Sequence, residues 1–541
     1  MFQQIYDPVN GSLFASALCA MLPLLSMFVM LGWLKISPHV SAAISLLICV
    51  VVAGFVYGMP WATVANVGVY GAVFSVLTVL WIIVNAIWLY NLTVRSGHFA
   101  VLRDSFALIS DDPRIQAILI AFSFGALIEA LAGAGTPVAI AGAMLVAIGL
   151  HPLKAAVIAL VADTAPVAFG ALAVPITTLA QVTGLSFEEL GHHVGRQTPV
   201  VAAFVPLALV WIMDGKRGLR QTWPAAVVAG FAFGAAQWIS ASHFSVVLAD
   251  VVGALASAAA VVVLLKFWKP AKLPADAFQN DVTKQAERIH SDAAVGHSRK
   301  QLMLAYAPYL LIIAIFTVVQ FGVVQKWLGA GTFKFAWPGL AISTQEGKSI
   351  GTMFTLNSLS AAGSLLLLAG AISAMMLKVS ARAALETYGK TLVQMRWAVP
   401  TVLCVMALAF IMNYSGQTAT LGRWLAGTGS AFAFLSPVIG WIGVAVTGSD
   451  NSANALFGAL QVAAAHETGL SPVLLAAANA SGGVLGKMIS PQSLAVGAAA
   501  VGIIGQEGLI FRKVVGWSLF FLLMMATLVY LQSTPVLSWM L

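Results

Sequence analysis

The ionisable side chains Glu129, Asp163, Asp450 and Lys487 lie within long apolar stretches of the sequence. Charged groups inside a bilayer are energetically costly, so the few that occur there usually serve a function. A buried carboxylic acid donates a hydrogen bond when it is neutral, and it can take up and release a proton. The acids therefore predict proton coupling, with Glu129 as the preferred carrier and Asp163 and Asp450 as alternatives. Lys487 is a candidate charge partner for an anionic ligand or for one of the acids.

Each of these residues also has a purely structural interpretation. Glu129 and Asp163 could hydrogen-bond to a facing element. Asp450 follows turn-forming residues, where an acid commonly caps a helix N-terminus. Lys487 could form an internal ion pair. The sequence leaves these alternatives open.

Glycines and neutral hydrogen-bonding side chains accompany the acids. Free N–H groups at a helix N-terminus attract an anion, and amides and hydroxyls suit a small acid that carries a neighbouring hydroxyl. A carboxylate ligand is therefore predicted. The residues predicted to bind it are Gly133, Gly135, Thr136, Thr164, Gly448, Ser449, Asn451, Ser452, Asn454, Asn479 and Ser481.

Two re-entrant hairpins are predicted to position these residues. The stretch 447–461, TGSDNSANALFGALQ, joins two apolar runs that are each shorter than the roughly 20 residues of a spanning helix. Its turn-forming residues predict a hairpin over 431–465, with the tip at 448–454. The motif GAGTP at 133–137 predicts another hairpin over 115–148. Irregular backbone at membrane depth requires protein or a water-filled cavity around it.

Composition places the whole chain in a membrane. Of its 541 residues, 60% are hydrophobic and 9% are charged, against about 25% charged in soluble domains. Two long apolar segments are predicted to be broken, one at 163–166 and the other at 479–483. The fold class predicted is an all-α polytopic membrane protein with about twelve spans besides the hairpins. The spans lie near 12–34, 40–58, 68–90, 153–182, 199–213, 224–240, 245–265, 302–325, 353–377, 397–415, 472–500 and 514–533.

Charge distribution predicts the orientation. If both hairpins return to their own side, 21 of the 27 Lys and Arg residues fall in loops on one side of the membrane. Cytoplasmic loops carry such an excess, so both termini are predicted to lie outside, in the periplasm or extracellular space. The polar stretch 266–300 becomes a cytoplasmic loop. Because the bases are explained by topology, the net charge of +8 predicts no nucleic-acid partner. No metal ligand set, cofactor motif or catalytic constellation is recognisable, so neither a cofactor nor an enzyme is predicted.

The two halves of the chain, 1–265 and 301–541, share an order of elements. In each half a glycine-containing tip is followed by a short helix, a segment beginning GLHP or GLSP that is predicted to break (153–182 and 472–500), and a later proline. The predicted topology opens the two hairpins to opposite sides. Gly- and Pro-interrupted segments in corresponding positions of an inverted repeat mark the binding site of a secondary transporter. Chance similarity between Ala- and Gly-rich segments is the alternative.

The longest motifs give a family resemblance. The stretches GALIEALAGAGTPVAI (125–140), DTAPVAFGALAVPI (163–176), TGSDNSANALFGALQ (447–461) and GKMISPQS (486–493) resemble the L-lactate permease family of bacterial transporters. The resemblance runs from end to end. It implies proton-coupled uptake of L-lactate and related 2-hydroxymonocarboxylates, such as glycolate and D-lactate, across the cytoplasmic (inner) membrane. It also implies kinship with the ion-transporter superfamily and an elevator-type motion.

Two rival functions remain at this point. A sodium-coupled carboxylate transporter would share the architecture, although a second carboxylate on its substrate would need more cationic groups than Lys487 alone. A proton-pumping respiratory subunit also uses acids and lysines in broken helices. The partners predicted are the small-molecule substrate, the proton and the lipid bilayer. The oligomeric state is left open.

Overall fold

The fold is a bundle of apolar helices. The computed structural model describes residues 2–34, 36–107, 109–110, 112–133, 135–271, 298–319, 321–345, 347–503 and 506–540. Within them, eleven helices are long and apolar enough to cross a membrane. The number is twelve when Pro152–Ala162 and Val167–Thr183, which meet at a 62° bend, are counted as one span. This confirms the predicted all-α polytopic fold.

The first half of the chain contains thirteen α-helices within the described residues. They are α1 Leu13–Phe28, α2 Pro38–Val51, α3 Trp61–Phe74, α4 Trp81–Arg95, α5 His98–Ala107, α6 Pro113–Ala117, α7 Gly125–Leu131, α8 Thr136–Ala147, α9 Pro152–Ala162, α10 Gly170–Thr183, α11 Phe187–Ala202, α12 Val205–Ile239 and α13 Ala249–Phe267. Short π-helical segments extend several of them, at Val29–Trp33, Val52–Val56, Ser75–Leu80, Ile118–Phe124 and Ser240–Phe244.

The described part of the second half contains eleven α-helices. They are α14 Arg299–Val318, α15 Gly322–Gly329, α16 Ala362–Met376, α17 Ala381–Gln394, α18 Ala398–Ser415, α19 Gln417–Ala426, α20 Phe432–Thr447, α21 Asp450–Thr468, α22 Pro472–Gly486, α23 Pro491–Ala500 and α24 Glu507–Gln532. Turns of 3-10 helix lie at Val167–Phe169, Val246–Leu248, Gly429–Ala431, Lys487–Ile489 and Ser538–Met540. The four short strands are β1 Phe2–Gln3, β2 Thr332–Ala336, β3 Ile342–Ser343 and β4 Met353–Asn357.

In both stretches predicted as hairpins, two helices pair across a tip. One arm of each, Pro113–Leu131 and Gly429–Thr447, has 19 residues and is long enough to cross a membrane, so re-entry stays a prediction. In the first, α6, the π segment and α7 run to the tip and α8 returns beside them. In the second, α20 ends at Gly448, whose φ of 74° is the left-handed conformation that glycine adopts at a helix C-terminus. Ser449 then caps α21 by accepting a hydrogen bond from the Ser452 N–H. The second tip is therefore only two residues long, and the rest of the predicted tip, 450–454, forms the first turn of α21.

The second broken helix breaks later than predicted. Residues 479–483 lie inside an unbroken α22, and the break is the 3-10 turn Lys487–Ile489. Ser490 ends this turn and caps α23, whose first residue is Pro491. The chain breaks there because a serine cap followed by proline at the first helical position starts a new helix, and proline disfavours helical backbone in the residue before it.

The glycines of the predicted break serve close helix packing instead. A Cβ added to Gly482 would lie 2.6 Å from the carbonyl carbon of Pro437 in α20, and one added to Gly486 would lie 2.8 Å from the Ala445 backbone nitrogen. On the facing helix, a Cβ on Gly440 would lie 3.0 Å from the Asn479 Cα. Small residues let two membrane helices approach to backbone contact. Helices α20 and α22 therefore pack as one unit.

We predict that Gly482→Ala destabilises the protein even though alanine is the better helix former. The added methyl group must push α20 away, and such overpacking typically costs about 1–3 kcal/mol. Thermal unfolding in detergent should show a lower Tm for Gly482→Ala. The matched control is Gly516→Ala, at an exposed helical position with no heavy atom within 4 Å of the added Cβ. A Tm for Gly482→Ala equal to that of this control would contradict the packing role.

One predicted span is wrong in its first part. Residues 353–357 of the predicted span 353–377 form β4, which pairs antiparallel with β2. Within this segment, Phe354 is buried and packs against Tyr70 and Trp337. The helix that follows, α16, has 15 residues. The predicted loop 266–300 is also shorter, because α13 and α14 extend into it; its residues 272–297 lie outside the described residues.

Contacts between distant loops join residues that were predicted on the same side of the membrane. Strand β1 pairs with β3, and the Arg196 guanidinium donates to the Met540 carbonyl at 2.9 Å. On the predicted cytoplasmic side, Arg95 forms an ion pair of 2.9 Å with Glu386. These contacts are consistent with hairpins that return to their own side. Which side faces the cytoplasm stays a prediction.

Candidate functional site

A buried ammonium group lies between two carboxylates. The Lys487 Nζ is 2.6 Å from Oε1 of Glu129 and 3.1 Å from Oδ2 of Asp163. The three residues are only 5%, 3% and 3% exposed. Glu129 belongs to α7, Asp163 ends α9, and Lys487 opens the 3-10 turn after α22. The first hairpin and both broken helices thus meet at one charge, and we call these three residues the ionic triad.

Glycines make room for the Glu129 carboxylate. A Cβ on Gly170 would lie 2.9 Å from its Oε1, and one on Gly133 would lie 3.8 Å away. The segment that follows Gly170 has left-handed backbone at three consecutive non-glycine residues, Ala171 to Ala173, with φ of 44°, 59° and 60°. Such backbone costs roughly 1–2 kcal/mol per residue. The break in the first broken helix is therefore both longer than predicted and strained, and it lies directly beside the triad.

Asp450 lies one helical turn from the triad. Its Oδ2 accepts a hydrogen bond of 3.3 Å from Asn454, and its Oδ1 lies against Gly483, where no side chain would fit. Gly483 precedes Lys487 by four residues, so Asp450 contacts the chain about one helical turn before the ammonium of the triad. The predicted capping role of Asp450 is wrong, because the Ser449 hydroxyl is the cap.

A row of amides joins the two halves of the chain. The Gln461 amide donates to the Asn479 oxygen at 3.1 Å, and the Asn479 amide donates to the Asn454 oxygen at 2.9 Å. The Asn454 amide in turn donates to the Pro175 carbonyl in α10 at 3.2 Å. One turn away, the Thr178 hydroxyl donates to the Asn451 oxygen. The side chains that form these bonds, which we call the amide row, are Gln461, Asn479, Asn454, Asn451 and Thr178. Their hydrogen bonds link α21 and α22 to α10.

Several buried oxygens of this region have unused hydrogen-bonding capacity. Buried polar atoms are nearly always hydrogen-bonded, so exceptions that cluster call for an explanation such as a ligand or a proton. Within the described ranges, the side-chain oxygens without a hydrogen-bond partner include Glu129 Oε2, Asp163 Oδ1, Asp450 Oδ1 and Ser481 Oγ. By contrast, the predicted ligand Thr164 already donates to the Val161 carbonyl at 2.7 Å.

The two hairpin tips approach the same helix. A Cβ on Gly135 would lie 3.9 Å from the Val496 Cβ, and one on Gly448 would lie 3.1 Å from the Gln492 Cβ. Gln492 and Val496 are one turn apart on α23, where side chains are separated by roughly 6 Å. The tips therefore lie within about 13 Å of each other. Thr136, the first residue of α8, follows the first tip and is half-buried.

A cavity of about 1150 Å³ leads toward the amide row. Lys348, Tyr414 and His466 line its part near the side predicted to be external. On α10 it extends along Gln181 and Thr177, the neighbour of Thr178. The residues of the ionic triad are not among its lining residues. The cavity therefore borders α10, the helix that carries Thr178, whereas the triad is enclosed.

Sequence reasoning missed part of this arrangement. Asp250, in the first turn of α13, is 1% exposed and accepts a hydrogen bond of 2.7 Å from Gln237. Its signal is the same as that of Asp163, a single acid in an apolar run. Gln461 and Thr178 stand within recognised motifs or next to them. The Pro175 carbonyl is a backbone acceptor, and residue types do not show which backbone groups bind a side chain.

Together, the helical bundle, the paired hairpins and the enclosed ionic triad define a polytopic membrane transporter. The chain belongs to the L-lactate permease family, whose model matches residues 16–536. It is 40% identical to the L-lactate permease of Bacillus subtilis (strain 168), over 99% of both chains. It is also 40% identical to the glycolate permease GlcA of Escherichia coli (strain K12), over 98% of both chains. Among solved structures, the Alcanivorax borkumensis YdaH transporter matches with a TM-score of 0.44 and 16% identity, over 87% of this chain and 86% of that one.

Proposed function

We propose that this protein is a proton-coupled symporter that takes up L-lactate and related 2-hydroxymonocarboxylates, including glycolate and D-lactate, across the bacterial cytoplasmic membrane. The names of its relatives support the substrate class. The observation that carries the coupling is the position of Lys487 between Glu129 and Asp163. One ammonium and two carboxylates bear one excess negative charge when all are ionised. An enclosed site tolerates such an excess poorly, so it favours binding of one proton.

The same arrangement links the proton to an anion. While Glu129 is ionised, its Oε1 holds the Lys487 ammonium at 2.6 Å. A proton on Glu129 removes this attraction, and the ammonium can then pair with the carboxylate of the substrate. Proton and monocarboxylate thus favour each other's binding, and together they add no net charge. Release of the proton on the cytoplasmic side restores the Lys487–Glu129 pair and expels the anion.

Groups around the triad suit the rest of a 2-hydroxy acid. The Ser481 hydroxyl has no partner in the described structure, and Ser452 and Thr136 lie in the first turns of helices that begin at the tips. Hydroxyls and free N–H groups at helix N-termini bind a carboxylate or an α-hydroxyl. Asn451, Asn454 and Asn479 bond within the amide row and act by joining the two halves. A substrate that enters through the large cavity must open this row to reach Lys487.

The transport cycle follows from an inverted repeat of residues 1–265 and 301–541, with both termini outside. In each half a hairpin is followed by a helix that starts at proline (α9 and α22). A 3-10 turn follows α22 directly and follows α9 after four residues. The hairpins and broken helices are proposed to move as one body, in the manner of an elevator, relative to the remaining helices. The close contact of α20 with α22 supports such a rigid unit.

Purified protein in proteoliposomes tests this function. Uptake of labelled L-lactate and glycolate is measured while pH and sodium gradients are varied independently. We expect accumulation when the outside is acidic, with or without sodium, and no uptake of di- or tricarboxylates. Accumulation that follows only the sodium gradient would establish the rival coupling ion. If the protein transports no organic acid, the symporter function is excluded and the rival function of a proton-pumping respiratory subunit is favoured.

The amide row gives a further prediction. Asn454→Leu should abolish uptake, because it removes the bonds to the Pro175 carbonyl and to Asn479 and adds bulk at a position with 0% exposure. Ser452→Leu, two residues nearer the tip, should also abolish it. Uptake is compared at equal membrane expression, with Asn66→Leu, in the half-exposed contact to Pro338, as the control that should keep transporting. Wild-type uptake rates in both α21 variants would show that the N-terminal end of α21 is not part of the binding site.

A further inference from the structure

A second cavity, of about 690 Å³, shares no lining residue with the ionic triad. Its lining residues lie on the side predicted to be cytoplasmic. It is formed where α12 is kinked and where α13 ends. Among its described lining residues, four are cationic and none is acidic. The residues, which we call the basic pocket, are Lys216, Arg217, Arg220, Gln221, Trp268, Lys269 and Ala271.

Ion pairs of Asp214 hold the turn that carries Lys216, Arg217 and Arg220. Gly215 interrupts α12 with φ of 58° and ψ of −142°. Before it, Asp214 accepts from the fully buried Arg114 at 3.4 Å and from Arg217 at 2.6 Å. Arg114 also donates to the Ala271 carbonyl at 3.0 Å, which fixes the segment that follows α13 at the edge of the pocket. The pocket is therefore a built feature rather than a set of mobile loop lysines.

Acidic groups of the described residues do little to neutralise the pocket. Asp214 is shared between Arg114 and Arg217. Across the ranges that the structure describes, no carboxylate forms an ion pair with Lys216, Arg220 or Lys269. Lys216 and Arg220 are four residues apart and so project from the same face of the helix. A multivalent oxyanion such as a phosphate group fits this arrangement.

The surroundings of the pocket are those of a bilayer interface. On α13, Val263 and Phe267 lie one turn apart and are 53% and 87% exposed. Trp223, one turn after Arg220 on α12, is 53% exposed as well. Large apolar side chains on a spanning helix face acyl chains, and tryptophan favours the level of the headgroups. The bases thus lie directly above a lipid-facing apolar surface.

We propose that the basic pocket binds the phosphate headgroup of an anionic phospholipid, whose acyl chains lie along Val263 and Phe267. Basic pockets between membrane helices on the cytoplasmic side bind such headgroups, and each base near the surface contributes to the affinity. A free phosphate would use the same bases but not the apolar surface. The inference is independent of the transport substrate and of its coupling ion.

Native mass spectrometry of the full-length protein tests the site. Phosphatidylglycerol and phosphatidylcholine are titrated separately onto the wild type and onto Lys216→Gln/Arg220→Gln/Lys269→Gln. The wild type should bind phosphatidylglycerol more tightly, and the triple variant should lose at least about tenfold in that affinity with phosphatidylcholine binding unchanged. The matched control, Lys378→Gln/Arg382→Gln/Lys513→Gln, removes three exposed bases from the same predicted side and should bind phosphatidylglycerol like the wild type.

Three results would overturn the proposal. Equal losses in the two triple variants would show that only overall charge matters. Equal affinity of the wild type for the two lipids would show that the pocket does not select an anionic headgroup. Displacement of phosphatidylglycerol by millimolar inorganic phosphate would make free phosphate the ligand.

Discussion

Glu129→Gln is expected to exchange lactate across a membrane and to fail at uphill uptake. Glutamine keeps an oxygen that can accept from Lys487, as Oε1 does at 2.6 Å, but it cannot ionise. It imitates the protonated acid, so the anion still binds and crosses. One pH unit stores about 1.4 kcal/mol per proton, enough for roughly tenfold accumulation by one-to-one symport. Wild-type vesicles should approach this ratio, while the variant should only equilibrate labelled with unlabelled lactate.

The control for this experiment is Glu467→Gln. Glu467 pairs with Arg423 at the surface, with 41% of its side chain exposed, so its removal should leave both activities unchanged. A purely structural Glu129 predicts that glutamine supports exchange and accumulation to similar extents. Accumulation by Glu129→Gln near the wild-type ratio would therefore exclude it as the carrier and transfer the role to Asp163 or Asp450.

Lys487→Met should have a still larger effect, on both stability and transport. It leaves Glu129 and Asp163 facing each other without a cation, and removing one partner of a buried ion pair typically costs about 3–5 kcal/mol. The variant should unfold at a markedly lower temperature in detergent and neither bind nor exchange lactate. Lys348→Met, which removes an exposed base of the large cavity, is the control expected to keep the wild-type Tm.

A double variant separates the two roles of Lys487. Adding Asp163→Asn to Lys487→Met removes one of the two uncompensated carboxylates, so much of the lost stability should return. Transport should not return, because no ammonium remains to bind the substrate carboxylate. Lactate uptake by the double variant at wild-type rates would limit Lys487 to a structural ion pair.

The elements that carry the site could be predicted because their signals are local. A polar tip between two apolar runs predicts a pair of helices joined at that tip, because turn-forming residues interrupt a continuous helix. The position of the second break could not be predicted, because glycine permits both a break and a close helix contact. Gly482 and Gly486 make contacts with α20 that only the folded chain reveals. Likewise, the apolar residues of β4 are compatible with a helix or a strand until β2 pairs with them.

The candidate residues of the site could be predicted, but their pairings could not. An ionisable residue in an apolar run is visible in the sequence, whereas the contact of Lys487 with Glu129 spans 358 residues. The same limit applies to the bond between Asn454 and the Pro175 carbonyl. Both depend on how the halves of the chain pack. The capping assignment of Asp450 failed by one residue, because serine and aspartate are similarly good caps.

The pairing of Glu129 with Lys487 has a consequence for biogenesis. The ribosome makes the two acids of the triad long before their cation, since 358 residues separate Lys487 from Glu129. At about 5–20 residues per second, the nascent first half waits roughly 20 to 70 seconds for its counter-charge. During that interval Glu129 and Asp163 must stay hydrated or protonated in the insertion machinery. A truncated chain that lacks Lys487 therefore cannot bury them as ions, so membrane quality control has a physical basis for recognising it.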